Sequence, residues 1–314
     1  MKTAIKSLLS FLAIGPSLAI NWTRIGCDEP WSVDRIEAQG GPMTIDPDAI
    51  WSNAGELSRG AREAIASIRG LQAFPSNARK QAGANANMVW NAEFHARRGL
   101  ASDSARDMQD VNGTYSDVEL ALAGNLTVNR AKRGFLFCGG RAFTRERIPG
   151  VSGQLRPCDE RGDQAYQGKT FYATKSNGGP EPEENILGVI LCPNQFEASG
   201  YRVHATLDAG YTAQALDGMT VPYPAHYNSV AGTLLHEMVH VVGHARDERP
   251  PPAGGYHDHA AGFRAQYNLA RGGASREQKL FNPDGYRIFA EMCRSPATGW
   301  GRPSPPPAQA RSDG

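Results

Sequence analysis

The sequence predicts an α+β domain, mostly helical, with a small β-sheet and one apolar helix running through the core. Three observations carry this expectation. An amphipathic helical period follows Asp46-Pro47, short β-rich runs lie between Phe135 and Cys192, and a nearly all-apolar helical stretch follows Tyr227.

Taken in order, residues 1–19 read as an export signal. Lys2 and Lys6 precede the apolar run Leu8 to Ile14, and Ser17-Leu18-Ala19 supplies small residues for cleavage near Ala19. The run is too short to span a bilayer, and no later stretch approaches the roughly 20 apolar residues a spanning helix needs. A secreted, extracellular protein with no membrane span is expected. The 314 residues, less this segment, suffice for one sizeable core. We expect a single domain over 20–295, its helical part at about 45–130 and its sheet and site at about 134–295.

In the helical part, Ile50, Leu57, Ala61, Ile65 and Ile68 share one face, with Asp46 as cap, Pro47 at the first helical position and an end near Gly70. A second helix is expected around Met88 to Leu100. Phe135 to Cys138, Thr170 to Thr174 and Ile186 to Cys192 are rich in β-formers and bounded by Gly, Pro and Asn, so they read as strands. The polar, glycine-rich stretch 139–168 reads as an extended loop pinned by Cys158. Helical period returns over Val230 to Val242, with Asn228 or Ser229 as cap and Gly243 as stop. Further helices are expected around 260–270 and 286–293, and the Pro-rich tail 296–314 reads as disordered.

Thirty-three basic and thirty-two acidic side chains leave a net charge of +1, which removes the electrostatic argument for a nucleic-acid partner. Five cysteines (Cys27, Cys138, Cys158, Cys192, Cys293) include no Cys-x-x-Cys pair, and disulfides are the default in an exported chain, with one cysteine left over. Sequons at Asn21, Asn112 and Asn125 fit a glycosylated secretory protein, Asn21 lying close to the expected new N-terminus.

Six of the eight histidines fall between His226 and His259, among them those of His236-Glu237-Met238-Val239-His240. Four residues apart on a helix, both imidazoles reach one zinc ion (Zn2+) while Glu237 projects beside them. The other faces carry Leu234, Leu235, Met238, Val239, Val241 and Val242, so the helix is expected to be buried. A carboxylate and two imidazoles in such surroundings need compensation, which a divalent ion supplies.

A third protein ligand must come from elsewhere. His244 is about 12 Å along the axis from His236, too far. Arg246 stands where a metzincin would carry its third ligand. Glu291, on a following helix, is a second-ranked candidate, as in a gluzincin. Tyr256-His257-Asp258-His259-Ala260-Ala261-Gly262 offers Asp258.

With this loop, with Ile190 to Phe196, Thr233 to Leu235 and Asn282 to Glu291, the chain resembles the deuterolysin-type, or aspzincin, family of secreted fungal zinc metalloendopeptidases, some of which prefer lysine. The resemblance runs from about Phe135 to Glu291. It implies a zincin-like catalytic domain, one zinc ion on His236, His240 and Asp258, and Cys27–Cys138 and Cys158–Cys192 disulfides leaving Cys293 free. Two departures stand out. The family's tyrosine, a donor to the tetrahedral oxyanion, falls at Ala261, and its preceding Gly-Thr pair is either replaced by Gly255-Tyr256 or lost in the Pro-rich insertion. Removing such a donor costs roughly 10²–10³ in rate. Tyr256, His257 and His259 flank Asp258 as substitute donors.

The expected activity is therefore hydrolysis of a protein or peptide substrate by a monomer, with Glu237 as general base for a zinc-bound water. Two further readings keep the same site: a secreted zinc-binding protein or antigen, and an effector or allergen acting by interaction.

Overall fold

Alternation on a strand and the 3.6 period on a helix sort the side chains of this protein onto two faces of one sheet and into one helical layer. The computed structural model describes residues 20–27, 31–33, 43–126, 131–139, 158, 167–173, 185–192, 202–204, 220–222, 227–246, 256–294 and 299–301. The expected export segment, most of the expected loop 139–168 and the tail beyond 301 lie outside these residues. In chain order the elements are β1 (Asn21–Ile25), β2 (Trp31–Val33), β3 (Met43–Ile45), α1 (Pro47–Ile68), α2 (Asn77–Trp90), β4 (Phe94–His95), β5 (Gly99–Leu100) and α3 (Ser102–Leu122). There follow β6 (Ala131–Cys138), β7 (Gly168–Ala173), β8 (Asn185–Leu191), β9 (Arg202–His204), β10 (Thr220–Pro222), β11 (Tyr227–Ser229), α4 (Val230–Arg246), α5 (Gly262–Arg271), α6 (Arg276–Leu280), α7 (Pro283–Arg294) and β12 (Gly299–Gly301). The protein is α+β, as expected, and among the described residues no helix is long and apolar enough to cross a membrane.

The main sheet has the order β1-β6-β8-β7, with β1, β6 and β8 parallel and β7 antiparallel to β8. Leu136, Leu187, Val189 and Leu191 face the helical core, while Phe135, Phe137, Ile186 and Ile190 join Phe171, Cys158 and Cys192 in a second cluster on the opposite face. A sheet buried on both faces explains why these strands read as continuous apolar runs. β1 was not anticipated. It has only five residues, mostly exposed, and is held at the sheet edge by its pairing to β6 and by the Cys27–Cys138 disulfide. The second disulfide joins Cys158 to Cys192, so both pairs are those the resemblance implies, and Cys293 is free.

α1 starts as read, with Asp46 accepting from the Asp48 N–H and Pro47 in the first turn. The helix expected at Met88 to Leu100 is corrected. α2 begins at Asn77, capped by Ser76, and ends at Trp90 because Asn91 turns left-handed at φ 58°. Its buried residues include Arg79, Gly83 and Asn85 beside Ala82, Ala86, Met88, Val89 and Trp90, and this mixture of polar and small side chains dilutes the apolar signal. The residues beyond form the β4–β5 hairpin, tied down by buried Arg79, which donates to the carbonyls of Ser67, Gly70 and Ala96. α3 brings Met108, Val111, Tyr115 and Val118 against α1 and α4.

α4 is buried almost all round. Val230, Leu234, Leu235, Met238, Val239, Val241 and Val242 are fully buried, each contributing about 1.5–3 kcal/mol as an upper bound. The helix does not stop at Gly243 but continues to Arg246. A Cβ at Gly243 would lie 2.3 Å from Tyr256 Cδ2 and 2.8 Å from the Tyr256 nitrogen. The glycine therefore lets the 256 segment lie against the helix and does not end it. Within the stretch expected to be a tail, Gly299–Gly301 form β12, which pairs with β10 and buries Trp300.

Candidate metal centre

One turn of α4 sets the His236 and His240 rings 5.1 Å apart, centre to centre, on its least buried face. Their Nε2 atoms converge on Asp258 Oδ1, at 3.1 Å from His236 and 3.4 Å from His240. The three ligand atoms lie within 4.8 Å of one another, and among the described residues this is the group that could hold a metal ion.

Each ring is anchored through its other nitrogen. His236 Nδ1 is 3.0 Å from Asp284 Oδ1, and His240 Nδ1 is 2.8 Å from the Tyr256 carbonyl oxygen. Both acceptors require the proton on Nδ1, which presents the Nε2 lone pairs to a shared point. This donor set, two imidazole nitrogens and one carboxylate with oriented tautomers, suits a divalent transition ion. Gly243 contributes here, because it admits the Tyr256 backbone to His240.

Asp258 sits on a loop that two buried side chains of the segment 282–284 hold in place. Asn282 Oδ1 accepts from the His259 and Ala260 N–H groups at 2.9 and 3.2 Å, and its Nδ2 donates to the Ala260 carbonyl at 2.9 Å. Asp284 Oδ2 accepts from the Gly262 N–H, and Gly262 takes φ 78°, a conformation that favours glycine. Asp284 thus joins the third-ligand loop to the first histidine.

Electrostatics follow from this packing. Burial pulls the His236 imidazole down, but hydrogen bonds to Asp258 and Asp284 outweigh it and raise the pKa to about 10. Burial pushes Asp258 up, and its two histidine partners overcome that, holding the carboxyl well below the usual range. Asp284 is likewise held low against its burial, by Arg287 at 3.0 Å and by His236.

Glu237 is 5% exposed and lies beside the cluster, its Oε2 accepting from the Thr170 hydroxyl of β7 at 2.7 Å. Glu291 is elsewhere. Fully buried, it accepts from Ser229 Oγ at 2.9 Å and faces Arg287 at 3.6 Å, in space left by Gly232, so it is not the third ligand. His244 stacks on Tyr172 outside the triad.

Tyr256 is not an oxyanion donor. Its hydroxyl is buried and lies 2.6 Å from Thr114 Oγ1, leaving its backbone carbonyl as its contribution to the centre. His257 and His259 are exposed on the loop, and desolvation with the neighbouring His257 holds His259 below the ordinary imidazole value. Ala261 is exposed at the cap of α5. Asn112 lies within α3 and its sequon's Thr114 is fully buried, whereas Asn125 is exposed just after that helix.

Thr170, Asn282 and Asp284 went unnoticed as site residues in the sequence. For Asn282 and Asp284 the available signal was two polar residues flanking Pro283 at the head of an amphipathic helix. Comparison with protein-family models finds none that matches the chain, and comparison with curated proteins likewise finds no match.

Proposed function

We propose that this protein is a secreted zinc metalloendopeptidase with a zincin-like fold, of the deuterolysin type. The observation that carries the proposal is the convergence of two tautomer-fixed imidazoles and Asp258 beside the buried carboxylate of Glu237. A zinc carrier has no use for that carboxylate. A zinc ion here would supply Lewis acidity to a water and to the scissile carbonyl. His236, His240 and Asp258 would hold it, and Glu237 would take the proton from the water and deliver it to the leaving amine.

Substrate access is supported by β7, which ends the main sheet and passes Thr170 against Glu237. Among the described residues β7 is an end strand of that sheet, and an end strand is the kind of element along which an extended peptide can be recognised through main-chain hydrogen bonds. The proposed substrate is accordingly an extended protein or peptide segment.

One observation favours a second reading, a zinc-binding antigen or effector with weak proteolysis. Ala261 offers no hydroxyl, and that of Tyr256 is held by Thr114. The test is cleavage of an unstructured protein by the purified chain and by Glu237→Ala, with bound zinc measured in both. The protease reading requires stoichiometric zinc in both proteins, cleavage by the first, and loss of at least about 10²-fold in the second. Zinc in both with cleavage by neither leaves the binding-protein reading standing.

A further inference from the structure

We infer that β7 clamps the Glu237 carboxylate through two alternate residues, Thr170 by a hydrogen bond and Gly168 by the absence of a side chain, which makes Thr170 a positioning residue for proton transfer. The inference rests on the protease reading for its consequence, though the clamp itself is a property of the chain.

Residues two apart on a strand share a face, and both of these face α4. The Thr170 hydroxyl lies 2.7 Å from Glu237 Oε2 and 3.0 Å from the Glu237 carbonyl oxygen. It has one proton to donate, and the shorter contact is to the carboxylate. On the other side, a Cβ at Gly168 would stand 2.9 Å from Glu237 Cγ and 3.0 Å from Oε1. The carboxylate is thus bounded at both oxygens. Thr170 engages Oε2 and Gly168 leaves room for Oε1, so the two strand residues fix one orientation of the carboxylate.

The strand is a rigid support for this work. Gly168 pairs with Leu191 and Thr170 with Val189 of β8, both of which are buried, so neither residue can drift without breaking the ladder. A glutamate has three side-chain torsions, and an unheld one samples several rotamers. A misplacement of 1 Å at a reacting group costs about 10²-fold in rate.

The experiment compares the full zinc-loaded chain with Thr170→Val, Thr170→Ser and Gly168→Ala. It measures kcat and KM on an unstructured protein, zinc affinity by chelator competition, and the Glu237 carboxyl carbon resonance in glutamate-labelled protein, assigned with Glu237→Gln. Expected for Thr170→Val is a fall of about 10²-fold in kcat with KM and zinc affinity within about twofold, and a displaced or broadened Glu237 resonance. Serine restores both, and Gly168→Ala reproduces the kcat loss while keeping the hydroxyl. Gly168→Ala decides the matter alone should valine unfold the strand.

Wild-type kcat in Thr170→Val, or a loss that serine does not rescue, overturns the inference. If the wild-type chain binds zinc and cleaves nothing, proteolysis is refuted instead. The clamp is then judged by the resonance, and an unmoved Glu237 signal in Thr170→Val overturns it too.

Discussion

Replacing Asp284 by asparagine keeps the volume and removes one charge, and the structure states what that charge does. Three donors converge on the carboxylate: His236 Nδ1 and Arg287 Nε at Oδ1, both at 3.0 Å, and the Gly262 N–H at Oδ2. An amide offers one acceptor oxygen and brings two N–H donors of its own, so at least one of the three faces a donor. With Asp284 5% exposed, that mismatch costs about 1–3 kcal/mol of stability. Loss of a ligand-orienting partner weakens metal binding by about 10–100-fold, or about 1.4–2.8 kcal/mol. The assay is chelator competition for zinc at neutral pH, with ion-free thermal melts beside it. Tyr115→Phe serves as control, because it removes another buried hydrogen bond, to the Tyr286 carbonyl at 2.6 Å, that involves none of His236, His240 and Asp258. Its stability should fall while its zinc affinity holds. The acid limb gives a second reading. A carboxyl depressed in the folded state contributes stability that is present above about pH 4 and lost as pH falls through the folded value, so Asp284→Asn should flatten that limb. Zinc affinity within about threefold of wild type in a folded Asp284→Asn protein would refute both the tautomer argument and the loop argument.

Zinc must displace the proton that His236 holds up to about pH 10, so affinity should rise about tenfold per pH unit through neutrality and flatten near 10. Calorimetry in buffers of different ionisation enthalpy should report release of about one proton, and pH-independent binding between 6 and 9 would contradict it. Burial raises the Cys293 thiol to about 12, so iodoacetamide should alkylate it at pH 8 far more slowly than a denatured control. The same shift favours the folded state below about pH 9 and loses that contribution as pH rises toward 12, a decline that Cys293→Ala should lessen. Peptide mass spectrometry of protein from a glycosylating host should find glycan at exposed Asn125 and none at Asn112, whose sequon threonine is buried under Tyr256.

How much of the fold was legible depended on where the signal for each element resides. α1 announced itself because its cap, its proline and its large apolar residues act within a few positions of one another. β6, β7 and β8 did so because burial on both faces leaves no polar alternation to confuse the reading. α2 failed for the opposite reason. Its buried face mixes polar and small residues with the apolar ones, and its surroundings are set by Asn91 and by Arg79 reaching to carbonyls 9 to 17 residues away. Gly243 misled because a glycine after an apolar helix signals a stop, whereas here it answers to Tyr256, a contact from outside the helix.

The site divides along the same line. His236, Glu237 and His240 are visible because one helical turn creates their geometry, and that turn is a property of five consecutive residues. Asp258 required a resemblance, since nothing local says which loop returns to the helix. The orienting partners lie farther off: Tyr256 is 16 residues from His240, Asp284 is 48 from His236, and Thr170 is 67 from Glu237. Each is an ordinary polar residue until the fold closes. Yet these partners decide the chemistry, because a ligand pair on a buried helix without Nδ1 acceptors presents its lone pairs in no fixed direction, and a glutamate without Thr170 has no fixed orientation for its carboxylate. A short motif can therefore mark where a metal would sit. Whether the site turns over substrate is determined by long-range contacts, and the substitutions at Asp284 and Thr170 test those two determinants separately.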